Sequence, residues 1–287
     1  MKTKIRVLRF FLPLAVFSIL LLAPSDVFAR SYHPPFLTAR SAVVMDANSG
    51  RILFAKNPYL RLPPASTTKV MTAMVAMERL SMNDQVLIGN NAVDVPPSKA
   101  GLTAGVSYSV RELVTATLVS SSNDAAVALA EAVLGNEKAF VTLMNEKAAK
   151  LGLKNTHFIN ATGLPVRDRW ADRHQYSTAY DLSRLMWFAS RDRRIDEIMA
   201  IINTSIRGSD RKEIYLKSHN KMLWKTPRFV KGKTGWTLAS RHTFMGTNYT
   251  SPKLFTFAML SSREPWIDIK RLATFGTVTA AKNRFSY

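Results

Sequence analysis

The sequence predicts a mixed α/β fold of the α+β type, in which an antiparallel sheet built from both ends of the chain is flanked by helices and carries an inserted helical lobe. Short apolar runs typical of strands occur near both ends, and apolar residues recur at helical spacing between them. The hydrophobic content of 47% over 287 residues fits a globular core. Because no linker or repeat is visible, we expect a single domain over residues 30–287.

Each element follows from a local pattern. Strands are predicted where short apolar runs meet turn residues such as Asn48 and Gly50, and helices where apolar residues repeat every three or four positions. The predicted strands are Ala42–Asp46, Arg51–Lys56, Lys231–Thr237, His242–Thr247 and Leu254–Ser261. The predicted helices are one that carries Ser66 in its first turn and continues to Leu80, and those over Val110–Val119, Ala125–Leu134, Glu137–Leu151, Thr178–Ser190 and Pro265–Lys282.

The first 29 residues predict a secretory signal peptide. Basic residues precede an apolar run over 10–23 that is short for a membrane span, and Val27-Phe28-Ala29 is suited to cleavage after Ala29. The alternative is an uncleaved membrane anchor. The sequence contains no cysteine, which excludes a cysteine-linked lipid anchor and a disulfide framework. We therefore expect an exported protein, periplasmic or facing the cell envelope.

The chain is strongly basic, with a formal net charge of +20. For an exported protein such a charge favours contact with anionic membrane lipids or acidic wall polymers rather than with nucleic acid. An equally weighted interpretation is that the basic residues are scattered over solvated faces, because they are spread along the chain instead of clustered.

Three short motifs follow one another along the chain and together indicate an acyl-transfer site. They are Ser66-Thr67-Thr68-Lys69, Ser121-Ser122-Asn123 and Lys233-Thr234-Gly235. The first two patterns recur elsewhere, for example at Ser209-x-x-Lys212 and Ser218-x-Asn220, so each alone is a weak signal. Context distinguishes the chosen set, because the first opens an apolar helix, the second lies between two helices and the third begins a strand.

The spacing of the first motif has a chemical reason. On a helix, residues three apart share one face, so the amine of Lys69 can take the hydroxyl proton of Ser66. A lysine serves as a base only if its pKa is lowered, and burial together with a second cation, for which Lys233 is the candidate, would lower it. The helix start would also favour an oxyanion at the backbone N–H of Ser66. The alternative is that Ser66 only caps the helix.

These motifs and their surroundings resemble the low-molecular-mass penicillin-binding proteins of the D-alanyl-D-alanine carboxypeptidase type. The resemblance is carried by residues 64–73, 121–126 and 233–237, with support from 160–165 and 220–224, and it extends from about Ala39 to Lys282. It implies the fold of β-lactamases and transpeptidases. It also implies that the substrate is a peptidoglycan stem peptide ending in D-Ala-D-Ala and that β-lactams inhibit the enzyme.

The resemblance implies catalytic roles for three residues. Ser66 would attack the carbonyl between two D-alanines, Lys69 would act as general base, and Ser121 would relay the proton to the leaving amine. Water would then hydrolyse the acyl-enzyme. No cofactor is implied, and because the five histidines are scattered and lack metal-ligand spacing, no metal site is expected.

The resemblance implies substrate-binding roles for five further residues. Asn123 would hold the substrate backbone, and Lys233 and Thr234 of the Lys233-Thr234-Gly235 motif would bind the terminal carboxylate. The N–H groups of Ser66 and Trp236 would form the oxyanion hole.

The sequence departs from the family pattern after Gly235, where Leu238-Ala239-Ser240-Arg241-His242 replaces the usual turn, so the rim of the pocket is expected to differ. Trp236 is expected to pack on the neighbouring strand, with stacking on the substrate as the alternative. The role of His219 stays open.

Several functions remain compatible with the sequence. The leading hypothesis is a carboxypeptidase that trims terminal D-alanine, and the first alternative is an endopeptidase that cleaves D-Ala cross-links. A β-lactamase is disfavoured, because no Glu-x-x-Leu-Asn stretch lies between Asn123 and Lys233. The intact motifs argue against a non-catalytic wall-binding protein. We expect no C-terminal β-domain, and we expect the apolar stripe of the closing helix to pack in the core rather than on a membrane.

Overall fold

The sheet of the computed structural model draws strands from both ends of the chain. The structure describes residues 33–166, 175–225, 230–250 and 253–282, and the predicted signal peptide lies outside them. Within these residues the strands are β1 Ser41–Asp46, β2 Ile52–Lys56, β3 Gln85–Leu87, β4 Ser107–Ser109, β5 Asn203–Arg207, β6 Glu213–Lys217, β7 Val230–Thr237, β8 Arg241–Thr250 and β9 Lys253–Ser262.

Five of these strands form the main sheet, in the order β2-β1-β9-β8-β7, and every neighbouring pair is antiparallel. The sheet predicted from both ends of the sequence is therefore confirmed. Two small two-stranded antiparallel sheets, β3-β4 and β5-β6, lie outside it and are not predicted by the sequence. Their strands are short and weakly apolar, so the sequence pattern gives little signal for them.

Helices occupy the middle of the chain and its end. They are α1 Lys69–Arg79, α2 Asn90–Asp94, α3 Val110–Val119, α4 Asn123–Leu134, α5 Glu137–Lys150, α6 Ala179–Ser190, α7 Arg193–Ile198, α8 Met222–Lys225 and α9 Pro265–Lys282. The long helices match the predicted ones to within about two residues at either end, except at the start of α1. No helix among the described residues is long and apolar enough to cross a membrane.

The two faces of β1 pack on different layers. All six residues of the strand are buried. Val43 and Met45 belong to the large core shared with the inserted helices, whereas Ala42 and Val44 belong to a second core with α9. Because successive side chains of a strand point to opposite faces, β1 is covered on both sides. The sheet is the middle layer of the fold.

The apolar stripe of α9 packs in the core, as the sequence predicts. Ile269 and Leu272 are fully buried, and Phe275 lies against Phe54 with ring centroids 5.6 Å apart. Ile267 remains 45% exposed. The apolar face of α9 is therefore covered by the main sheet.

The sequence placed Ser66 in the first turn of the helix, and this prediction is wrong in detail. Ser66 lies in a 3-10 turn, Ala65–Thr68, and α1 begins at Lys69. Ala65 has a φ of +49°, a conformation that is costly for a residue with a side chain. Both the N–H and the hydroxyl of Thr67 donate to the Pro64 carbonyl, at 3.4 and 2.7 Å, and these bonds close the 3-10 turn.

The N-terminal segment that leads into β1 is fixed by Asp268 of α9. The buried carboxylate accepts from Thr38 N and Ala39 N at 3.1 and 2.9 Å, and from the hydroxyls of Thr38 and Ser262, each at 2.7 Å. Four donors share one carboxylate. This joins the first strand, the last strand and the last helix.

We expect Asp268→Ala to lower the free energy of unfolding by about 3 kcal/mol, because it leaves four buried or half-buried donors without their shared acceptor. Urea denaturation followed by circular dichroism measures the change. Glu146→Ala, which removes an exposed carboxylate from α5, is the control and should stay within about 0.5 kcal/mol of wild type. Equal effects of the two substitutions would show that Asp268 does not stabilise the fold.

Candidate active site

Ser66 lies where the helical lobe meets the sheet. The carbonyl of Pro64 accepts from Thr243 Oγ1 of β8 at 2.9 Å, which ties the turn that carries Ser66 to the sheet. Gly235 of β7 passes so close that a Cβ there would lie 2.8 Å from Ser66 N and 2.4 Å from Thr243 Oγ1. Only glycine permits this approach. The half-buried Ser66 side chain therefore faces β7 across a narrow gap.

Lys69 lies one helical turn after Ser66 and is fully buried. Its Nζ lies 3.0 Å from Ser66 Oγ and donates to the Thr162 carbonyl at 2.8 Å. Burial and the nearby Lys233 lower the pKa of Lys69 well below its usual range, and Asp124 opposes them only in part. The neutral amine can accept a proton from the Ser66 hydroxyl.

A loop from Asn160 to Leu164 holds the acceptor of Lys69. Asn160 Oδ1 accepts from Thr162 N and Gly163 N at 3.2 and 2.7 Å, and its Nδ2 donates to the Leu164 carbonyl at 2.8 Å. A Cβ on Gly163 would lie 1.9 Å from the Ala65 carbonyl oxygen, so the loop packs directly on the turn before Ser66.

The sequence of this loop supports the family resemblance but predicts no role for it in the site. Thr162 contributes a backbone carbonyl, which leaves no signal in its side chain. The glycine and asparagine of the stretch were the only available clues.

Ser121 and Lys233 form a second pair beside the first. Ser121 lies in the short link between α3 and α4 with a φ of +61°. Lys233 of β7 is 1% exposed, and its Nζ donates to Ser121 Oγ at 2.7 Å and to the Thr234 carbonyl at 2.9 Å. Burial lowers the pKa of Lys233 to about 7. The strained backbone of Ser121 is the kind of outlier that occurs at functional sites.

Asn123 begins α4 and lines the same cleft. Its Nδ2 donates to the Pro96 carbonyl at 2.9 Å, whereas its buried Oδ1 has no partner among the described residues. Asp124 next to it accepts from Gly101 N and Leu102 N at 2.9 and 3.1 Å, which fixes the loop that forms this wall. The Asn123 side chain is thus fixed through its Nδ2, and its Oδ1 can accept a hydrogen bond from a ligand.

The cleft has a volume of about 840 Å³ and is lined by residues of all three motifs. Trp236 projects from β7 with 56% of its surface exposed, and its ring lies 6.4 Å from that of His242 on the neighbouring strand. The ring thus approaches the neighbouring strand at His242, while more than half of the residue stays exposed. His219 lines the cleft too, and burial with the charges of Lys233 and Lys69 lowers its pKa to about 4.

The predicted site residues therefore come together in the structure. Around one cleft it brings Ser66, Lys69, Ser121, Asn123, Lys233, Thr234, Gly235 and Trp236. No group of three potential metal ligands was found in the part of the chain that the structure describes.

We expect the stability of the protein to rise with pH in the range where Lys233 is neutral when folded and charged when unfolded. The unfolded lysine keeps its proton up to the ordinary lysine pKa of 10.5, whereas the folded one loses it above about 7, so the unfolded state binds more protons between these values. The free energy of unfolding should therefore rise relative to that of Lys233→Met by up to about 1.4 kcal/mol per pH unit.

Urea denaturation at pH 7.5 and 9.5 measures this difference. Lys154→Met, which removes an exposed lysine, is the matched control and should change in parallel with wild type. Parallel curves for wild type and Lys233→Met would show that buried Lys233 keeps its proton.

The comparisons with known proteins agree with this geometry. The model of the S11 peptidase family, described as D-alanyl-D-alanine carboxypeptidase, matches residues 29–259. D-alanyl-D-alanine carboxypeptidase DacF of Bacillus subtilis is 34% identical over 69% of the chain and 51% of that protein. A D-alanyl-D-alanine endopeptidase of Pseudomonas aeruginosa is 40% identical over 52% of the chain and 47% of that protein. The matches thus span about half the length of these two relatives.

A solved structure shows the same fold. The crystal structure of D-alanyl-D-alanine carboxypeptidase from Mycobacterium tuberculosis H37Rv has a TM-score of 0.80 and 31% identity, and the alignment covers 87% of this chain and 95% of that one. The predicted fold, that of penicillin-binding proteins, is confirmed. On the match to the family model and on this structural likeness, the chain belongs to the D-alanyl-D-alanine carboxypeptidase family.

Proposed function

We propose that the protein is an exported serine D,D-peptidase that removes the terminal D-alanine of peptidoglycan stem peptides through an acyl-enzyme at Ser66. The observation that carries the proposal is the 3.0 Å contact between Ser66 Oγ and the buried Lys69 Nζ, whose pKa is lowered. A serine next to a neutral amine is an activated nucleophile. Family membership supports the substrate class.

Acylation begins when Lys69 takes the proton of Ser66 and Oγ attacks the carbonyl carbon between the two D-alanines. The developing oxyanion accepts from the backbone N–H groups of Ser66 and Trp236. The close approach of β7 supports this pairing, since a Cβ on Gly235 would lie only 2.8 Å from Ser66 N. The proton that Lys69 has taken reaches the leaving amine through the hydroxyl of Ser121, which accepts a hydrogen bond from Lys233 and is neutral again after the transfer.

Substrate binding uses the remaining motif residues. The substrate backbone donates an N–H to Asn123 Oδ1, the buried acceptor without a partner among the described residues. The terminal carboxylate binds Lys233 and Thr234, which are neighbours in the middle of β7. Because Lys233 is 1% exposed, its attraction for the carboxylate is screened less than it would be in water. Water then releases the acyl group and restores Ser66.

The second candidate is an endopeptidase that cleaves D-Ala cross-links by the same steps. A relative 40% identical to this chain is named D-alanyl-D-alanine endopeptidase. Both reactions attack the same carbonyl and differ only in the amine that leaves. The chemistry near Ser66 is therefore shared by both candidates.

We expect purified protein to remove one alanine from pentapeptide muropeptides, with mass spectrometry as the readout. Ser66→Ala should lower the rate at least about 10³-fold, because it removes the nucleophile. Conversion of cross-linked dimers to monomers would instead assign the endopeptidase reaction. If wild type and Ser66→Ala act alike on both substrates, the proposed mechanism is wrong.

We expect Gly235→Ala to slow the acylation of Ser66 by a fluorescent penicillin by about 10²-fold. The added methyl group would push β7 away from Ser66 N and so disturb the oxyanion hole. Gly89→Ala is the matched control, because its Cβ would meet only Glu131 Oε2 at an ordinary 3.4 Å. Unchanged labelling of Gly235→Ala would refute this arrangement of the oxyanion hole.

A further inference from the structure

Beside the catalytic cleft lies a second, shallow hollow of about 370 Å³, here called the arginine hollow. It is lined by Arg40 before β1, Arg241 at the start of β8 and Arg263 after β9, together with Phe36. Ala239 of the β7-β8 turn lines both the cleft and the hollow. The turn therefore forms a ridge with the reacting groups on one side and three arginines on the other.

The three arginines have no counter-ion in the part of the chain that the structure describes. Among the described residues that line the hollow there is no Asp or Glu, and the ion pairs found in those residues involve none of the three. All three are exposed. Like charges brought together repel one another, and a bound anion offsets that cost. Guanidinium groups suit a planar carboxylate in particular, because they donate two parallel hydrogen bonds to it.

The frame that carries these arginines is rigid. In the turn, Thr237 N donates to Ser240 Oγ at 2.9 Å, Ser240 N donates to Thr237 Oγ1 at 3.0 Å, and Ser240 Oγ donates to the Arg241 carbonyl at 2.7 Å. Arg241 has a φ of +56°. On the other side Asp268 holds the N–H of Thr38, two residues before Arg40. The arginines are thus brought together by fixed backbone segments.

We propose that the arginine hollow binds a carboxylate of the stem peptide, upstream of the D-Ala-D-Ala unit that occupies the cleft. This inference rests on the proposed function. A peptide whose C-terminal end lies beside Ser66 leaves the cleft over the ridge, where the side chain of Leu238 is 88% exposed. Ala239 of the same turn also lines the hollow, so the hollow adjoins this route. Stem peptides carry a free α-carboxylate on their γ-linked glutamate, so the anion belongs to the substrate itself.

The test compares the binding of two synthetic peptides that differ only in this carboxylate. They are acetyl-L-Ala-γ-D-Glu-L-Lys-D-Ala-D-Ala and its form with the glutamate α-carboxylate amidated. Calorimetry on the Ser66→Ala protein gives Kd without turnover. We expect the acidic peptide to bind about tenfold more tightly, as for a charge-assisted hydrogen-bonded pair. Adding Arg241→Gln and Arg263→Gln should reduce the ratio to within about twofold.

Arg51→Gln on the Ser66→Ala background is the matched control, because Arg51 is exposed and lies beyond the opposite end of β1. It should keep the tenfold ratio. Equal Kd values for the two peptides on the Ser66→Ala protein would overturn the proposal, as would an equal loss of the ratio in the Arg51→Gln control.

Two measurements on proteins that retain Ser66 separate this inference from the proposed function. Fluorescent penicillin should acylate Arg241→Gln/Arg263→Gln at the wild-type rate, since a small β-lactam does not reach across the ridge. Hydrolysis of the acidic peptide by this variant should show a raised KM and an unchanged kcat. A lowered acylation rate would overturn the inference, because it would place the arginines in the reaction itself. If wild type does not hydrolyse the peptide but the tenfold Kd ratio is found, the proposed peptidase function is wrong and carboxylate binding in the arginine hollow is supported.

Discussion

The site depends on the burial of two lysines side by side. Lys69 and Lys233 are almost completely inaccessible to solvent, and neither forms an ion pair among the described residues. Their partners are neutral, namely the carbonyls of Thr162 and Thr234 and the hydroxyls of Ser66 and Ser121. Since burying an unpaired ammonium is costly, the fold favours the neutral amines. The lowered pKa of each amine follows from that cost.

This constraint explains why the site lies between layers. Lys69 comes from the helical lobe and Lys233 from the sheet, so neither layer alone can bury both. Close contact of the layers requires Gly163 and Gly235, because any Cβ there would collide with the turn around Ser66. The positive φ values of Ala65 and Ser121 are a further cost of the same arrangement. The sheet, anchored on both faces, supplies the stability that offsets this strain.

The sequence predicted the main sheet, the long helices and the residues around the cleft, because these leave patterns in side-chain chemistry. Strand and helix periodicity marks β1 and α3, and hydroxyl and amine side chains mark the reactive groups. Features that depend on backbone conformation or on backbone groups could not be predicted from the sequence pattern. The 3-10 turn at Ser66 arises from the conformation of Ala65, and the acceptor for Lys69 is a carbonyl, so neither has a signature in side-chain type. The hollow beside the cleft is assembled from three segments distant in sequence, which no local pattern could bring together.

The proposed mechanism gives the second lysine an electrostatic role. A carboxylate that bound beside a single buried lysine would raise the pKa of that lysine, and so protonate the base just when the substrate arrives. With two lysines, one can bind the carboxylate while the other acts as the base. The pKa of Lys233 lies near 7, so an approaching carboxylate readily gives it a positive charge. That charge in turn lowers the pKa of Lys69. In the proposed reaction, binding of the anionic substrate at Lys233 would therefore keep the pKa of Lys69 low, next to the hydroxyl whose proton Lys69 would take.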